Sequence, residues 1–205
     1  MKRKLIIFLI VLFIVAVPYL IPLFDQSTVY IDKLYMDVTI NTDGSISVKK
    51  IDSYKGDYNG IYASYGYKNA YAPIFTGENS DLEGSSIYNG SAITNLKVGE
   101  VSQEDLTFDD LFQAGDFYSE TVYGSNGEHG VYEFEDTGEA VQLKVFNPSS
   151  RKKAIYYEYT IEDMIVKHND VEELAWTIFN GENLERTIKN LEIRIHLPKE
   201  DSTML

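Results

Sequence analysis

LYMDVTINTDGSISVKKI, residues 34–51, fixes the fold class. Leu34, Met36, Val38 and Ile40 fall on one side of an extended chain, and Tyr35, Asp37 and Thr39 on the other. A period of two is the mark of a half-buried strand. Asn41-Thr42-Asp43-Gly44-Ser45 then supplies residues that favour a tight reversal, and the alternation resumes at Ile46 and Val48. The stretch therefore predicts a β-hairpin.

The same pattern recurs along the chain. In AVQLKV, Val141, Leu143 and Val145 share one face, with Gln142 and Lys144 opposite. KKAIYYEYTI, residues 152–161, is β-branched and aromatic. In LEIRIHL, Leu191, Ile193, Ile195 and Leu197 are expected inside and Glu192, Arg194 and His196 outside, with Pro198 ending the strand. Shorter strands are expected near 58–66, 91–98, 117–123 and 130–135, and a long polar loop over 68–90. The one helix-like window is 102–113, QEDLTFDDLFQA from Gln103 onward. There is no internal repeat. Many short strands with almost no helix predict an all-β fold, an antiparallel β-sandwich of Ig-like or jelly-roll-like type.

The first 24 residues are of another kind. Lys2, Arg3 and Lys4 precede an apolar run from Leu5 to Phe24. A helix of about 20 such residues spans a bilayer's hydrocarbon core. The only small-residue cleavage-like triplet, Val15-Ala16-Val17, lies inside the run. Residues 5–24 are thus read as one transmembrane anchor or signal helix, with residues 1–4 as a basic cytoplasmic end and 25–205 as an extracytoplasmic domain. This predicts a cell-membrane protein, single-pass, whose C-terminal domain lies outside the cytoplasm. After residue 24, 15 basic residues stand against 32 acidic ones, a balance that excludes nucleic acid as a partner. The chain has no cysteine, so disulfides and thiolate chemistry are excluded too.

Residues that would carry a reaction are sparse. His129, His168 and His196 have no ligand-spaced companions, and no nucleophile elbow or phosphate loop is present. Glu104, Asp105, Asp109, Asp110 and Asp116 match no calcium-loop spacing. The expectation is no catalytic residue, no metal and no cofactor. The residues that suggest contact are aromatic: Tyr58, Tyr62, Tyr65, Tyr67 and Tyr71 in one short window, and the single tryptophan, Trp176. Tyrosine favours recognition surfaces, so a cell-envelope glycan or protein is the expected partner, beside the membrane itself through residues 5–24. Trp176 is expected in the core beside a strand, with an aromatic platform as its other reading. The overall reading is a structural or interaction module of a bacterial cell envelope rather than an enzyme. The rival is a carboxylate-type hydrolase, which a deep cleft holding two buried acids would favour.

Two ends of the sequence resemble one known module. The first is Val38–Ile40, Asp43-Gly44, Ile46–Ile51 and Gly60-Ile61-Tyr62; the second is Ile155–Ile161, Glu173-Leu174-Ala175-Trp176 and Leu191–Pro198. Their order is similar to that of the N-terminal extracytoplasmic domain of the bacterial membrane proteins built on domain of unknown function 2207. The resemblance implies a sandwich outside the membrane and no known chemistry. That family often shows a second Trp soon after the first, where this sequence has Leu184 or a neighbour. Typical members run on into further transmembrane helices, so a second expectation is the N-terminal fragment of a larger multi-span membrane protein.

Overall fold

The structure, a computed structural model, describes residues 29–56, 58–68, 90–102, 106–108, 116–147, 153–167, 172–178 and 186–198. The apolar segment 5–24, almost all of the 68–90 loop, most of the 102–113 window, Tyr71 and His168 lie outside the described residues. The described residues hold eleven strands and no helix. In chain order these are β1 (Tyr30–Ile40), β2 (Ile46–Lys55), β3 (Ile61–Gly66), β4 (Ile93–Ser102), β5 (Ser119–Glu120), β6 (Val131–Asp136), β7 (Ala140–Phe146), β8 (Lys153–Ile161), β9 (Ile165–Lys167), β10 (Glu172–Leu174) and β11 (Ile188–His196).

The strands form a five-stranded sheet in the order β11-β1-β2-β8-β4, a four-stranded sheet β3-β7-β6-β5, and a two-stranded ribbon β10-β9. The expected hairpin is β1–β2, with Ile40 opposite Ile46 and Val38 opposite Val48. Gly44 takes φ +92° in its turn, where an L side chain is strained. The fold departs from the expected all-antiparallel pattern at two pairs: β1 with β11, and β5 with β6, are parallel. A parallel neighbour needs a long connection to bring the chain back to the same end. For β1 and β11 the whole run from β2 to β10 lies between them in the chain.

The two large sheets face each other. Val38, Ile46, Val48, Tyr157, Tyr159 and Ile161 of the first and Ile61, Tyr65, Val141, Leu143 and Val145 of the second belong to one buried cluster. Tyr65 of β3 lies over Tyr159 of β8, ring centroids 4.7 Å apart. Leu174, Trp176 and Ile178 pack half-buried against the same cluster, so Trp176 sits at the core's margin. A smaller cluster on the other face of the five-stranded sheet joins Ile51, Ala154 and Tyr156 to Leu106 and Phe108. Residues 116–118 continue along β4, with Tyr118 N–H donating to Val98 C=O at 2.8 Å, before the chain enters the second sheet at β5.

The expectation for LEIRIHL needs correction. Its alternation is in phase with the core, since Leu191, Ile193 and Ile195 lie beside Leu34, Met36 and Val38. Yet Leu191 is 52% exposed, Ile195 51% and Leu197 72%, and only Ile193 packs in part against the core. The reason is position. β11 is the last strand of the wider sheet, and the opposing layer stops short of it. Alternation assigns a face; only the layer above it makes that face an interior.

Val38 and Ile195 are register partners on the same face, one fully buried and one half exposed. A buried unpaired charge costs several kcal/mol, against a whole-domain stability of about 5–15 kcal/mol. Val38→Asp is therefore expected to abolish folding, while Ile195→Asp should leave the thermal unfolding midpoint within a few degrees of the parent, both read by circular dichroism.

Candidate functional site

Five consecutive inward positions of β2 change character along the strand. Ile46 and Val48 are apolar, whereas Lys50, Asp52 and Tyr54 are polar and equally buried. Lys50 Nζ donates to Asp52 Oδ2 at 2.6 Å, and Tyr54 O–H donates to the same oxygen at 3.1 Å. The ammonium lies 5.4 Å from the Tyr65 ring centroid and 5.5 Å from that of Tyr157, within cation–π range. Arg186 lies 5.6 Å over the Tyr54 ring, and Tyr58 meets Tyr54 edge-on at 5.9 Å.

A second acid sits on the same face. Asp52 and Glu100 are both register partners of Ile155, one from each side, which sets their Cα atoms roughly 10 Å apart at ordinary strand spacing. Glu100 is 2% exposed, and its Oε2 accepts from Tyr118 O–H at 2.7 Å and pairs with His129 Nε2 at 2.6 Å. His129 reaches the surface while its carboxylate partner does not. Burial, with the Asp52 carboxylate adding to it, pushes the hydroxyls of Tyr54, Tyr65, Tyr157 and Tyr159 well above the usual phenol range. Burial and then Glu100 do the same to Tyr118. Among the described residues Asp52 Oδ1 and both polar side-chain atoms of Asn147 are buried without a hydrogen-bond partner. Among the described residues no group of His, Asp and Glu is placed to hold a metal ion.

The aromatic window expected to form one recognition surface is divided by the strand it builds. Tyr62 points outward and is 69% exposed, beside Lys144 on the open face of β3 and β7. Tyr65 and Tyr67 turn inward and are buried, Tyr67 donating to Asp136 Oδ1 at 2.8 Å. Tyr58 is half-buried against the core. Tyr65 and Tyr67 thus belong to the interior and offer no surface to a partner, because period two sends alternate residues to opposite faces. Other exposed apolar side chains lie around β5 and β6, on Phe117, Val122, Tyr123 and Phe134, and along the β11 edge, on Leu191, Ile195 and Leu197.

Two features went unread in the sequence. Lys50 and Asp52 keep the strand's inward phase, so their burial was legible from β2 alone; polar residue types concealed it. Glu100 and His129 are joined only by the fold, and no local signal links them.

A family model described as "Predicted membrane protein (DUF2207) N-terminal domain" matches residues 30–205. No curated protein matches the sequence. Among the described residues no helix is long and apolar enough to cross a membrane, and residues 5–24 lie outside them.

Removing one member of a buried ion pair strands the other, at about 3–5 kcal/mol, whereas an apolar replacement of both is often neutral. Lys50→Met should therefore be far more destabilising in denaturant titration than Lys50→Met combined with Asp52→Leu. The buried tyrosines also fix an alkaline limit. Unfolded tyrosines ionise near pH 10, while burial raises Tyr54, Tyr65, Tyr118, Tyr157 and Tyr159 in the folded state. Their contribution is intact below pH about 10 and is lost as pH rises beyond it. Phenolate absorbance from this set should appear together with loss of the β circular-dichroism signal; ionisation of the set with the fold intact would contradict their burial.

Proposed function

This chain belongs to the DUF2207 family of predicted membrane proteins, and we propose that it is a membrane-tethered β-sandwich that works outside the cytoplasm by binding rather than by catalysis. Residues 5–24 hold it to the bilayer, and the strands that follow present a surface to a partner in the envelope. The observation that carries this reading is the β11 edge: a nine-residue strand with no strand on its outer side among the described residues, whose inward stripe leaves Leu191 and Ile195 more than half exposed, followed at once by exposed Leu197. Soluble domains seldom leave such an edge bare, because an unpaired strand recruits other strands. The hydrolase reading draws on the two interior acids. Against it, each acid already has resident partners: Lys50 and Tyr54 on Asp52, Tyr118 and His129 on Glu100.

The test uses the full chain in its native membrane. A single cysteine at Ser125, an exposed loop residue, should react with a membrane-impermeant maleimide in intact cells. Amine crosslinking should yield complexes containing the chain, and Leu191→Glu with Ile195→Glu should remove them without lowering the thermal midpoint by more than a few degrees. Complexes unchanged by that double variant would defeat the binding reading. Turnover of an envelope glycan or peptide that is lost in Asp52→Asn or Glu100→Gln would put the hydrolase in its place.

A further inference from the structure

We infer that the occupant of the β11 edge is a second copy of this chain, paired antiparallel through β11 itself about a two-fold axis at Ile193. The inference rests on the reading of β11 as the binding edge and names its partner. It comes from the strand's own pattern. Centred on Ile193, residues equidistant on either side are complementary: Glu192 with Arg194, and Leu191 with Ile195. In an antiparallel pair about that centre, Glu192 of each copy faces the partner's Arg194, Leu191 faces the partner's Ile195, and Ile193 faces its own counterpart. A two-fold interface requires this kind of self-complementarity.

Three further facts agree with that arrangement. Glu192 and Arg194 already form an ion pair within the strand, at 2.9 Å, and the Arg194 guanidinium lies 3.6 Å over the Phe108 ring, so both side chains lie on the face opposite the apolar stripe. Antiparallel partners share a face, so the exposed stripes of two copies join into one apolar band, with side chains about 4.5–5.5 Å apart between Cβ atoms. The backbone is also turned the right way. Ile31 N–H donates to Thr187 C=O, and continuing that parallel ladder in the unbroken β1–β11 register directs the peptide groups of Asn190, Glu192 and His196 toward the outer edge. Residues that alternate with Ile193 then carry the new ladder bonds, and Ile193 falls at a non-hydrogen-bonded position on the axis.

Charge permits the contact here although the domain as a whole is acidic. β11 carries Lys189 and Arg194 against one acid, Glu192, so two copies meet at a strand without net negative charge. Two chains tethered in one bilayer satisfy this symmetry with the axis along the membrane normal and the β11 strands lying parallel to the membrane plane.

The experiment is a charge exchange on the full chain in detergent, with dimer measured by light scattering and by crosslinking. The parent chain should be dimeric. Glu192→Arg alone and Arg194→Glu alone should each weaken the dimer roughly ten-fold, since two facing ion pairs become two like-charge pairs. Mixing the two variants should restore it, because each Arg then meets a Glu. In a chain with no cysteine of its own, Ile193→Cys should form an oxidant-induced disulfide dimer in native membranes and Ser125→Cys should not; Cα atoms about 4.5 Å apart at such a position are within disulfide reach. A monomeric parent chain would overturn the inference, as would single variants that dimerise like the parent or a mixture that fails to recover. If the parent is monomeric while Leu191→Glu with Ile195→Glu still abolishes its complexes in cells, β11 binds another protein: the binding reading stands and the second copy is excluded.

Discussion

The Lys50–Asp52 pair is the contact around which both layers are arranged. It sits near the middle of β2, the central strand of the five-stranded sheet. Moving an ammonium and a carboxylate out of water costs several kcal/mol each unless attraction and added hydrogen bonds repay it. The surroundings supply that compensation. Tyr54 donates to Asp52, and the rings of Tyr65 and Tyr157 lie within cation–π range of Lys50. Tyr65 comes from the opposite sheet, so the group that compensates the charge also seats one layer on the other. A pair of this kind adds little net stability over an apolar filling. It constrains instead which tyrosines can stand opposite which strand, since a shift by one residue would turn both charges to the other face of the sheet, away from Tyr54, Tyr65 and Tyr157.

The parts of this fold that were legible in the sequence are those decided by near neighbours. The β1–β2 hairpin follows from alternation on either side of a five-residue turn, and the inward set of β7, Val141, Leu143 and Val145, follows from period two alone. The Tyr58–Tyr71 window shows the limit of composition as evidence. Five tyrosines in fourteen positions suggest a surface, but the strand they build divides them, and the in–out phase of Tyr62 and Tyr65 was the better guide. The pairing of Glu100 with His129 was beyond reach, because it depends on residues 116–118 running along β4 before β5 joins the other sheet.

β11 separates two quantities that a sequence pattern merges, the face a residue occupies and the cover over that face. Leu191 and Ile195 occupy the core face as surely as their partners Leu34 and Val38, and differ from them only in lying beyond the second layer. An edge strand that carries an apolar stripe is open to indiscriminate pairing. The other side of β11 counters this with Glu192, Arg194 and His196 in succession, and Pro198, just past the strand, cannot extend the ladder. A purely aliphatic strand would accept any extended segment in any register. An alternating acid–base row admits a partner only where opposite charges coincide, and a slip by two residues would set Glu192 against the wrong side chain. The apolar stripe provides affinity without selectivity and the charged row provides selectivity with little affinity. Their combination on one terminal strand is what distinguishes an edge shaped for a particular partner from one merely left uncovered.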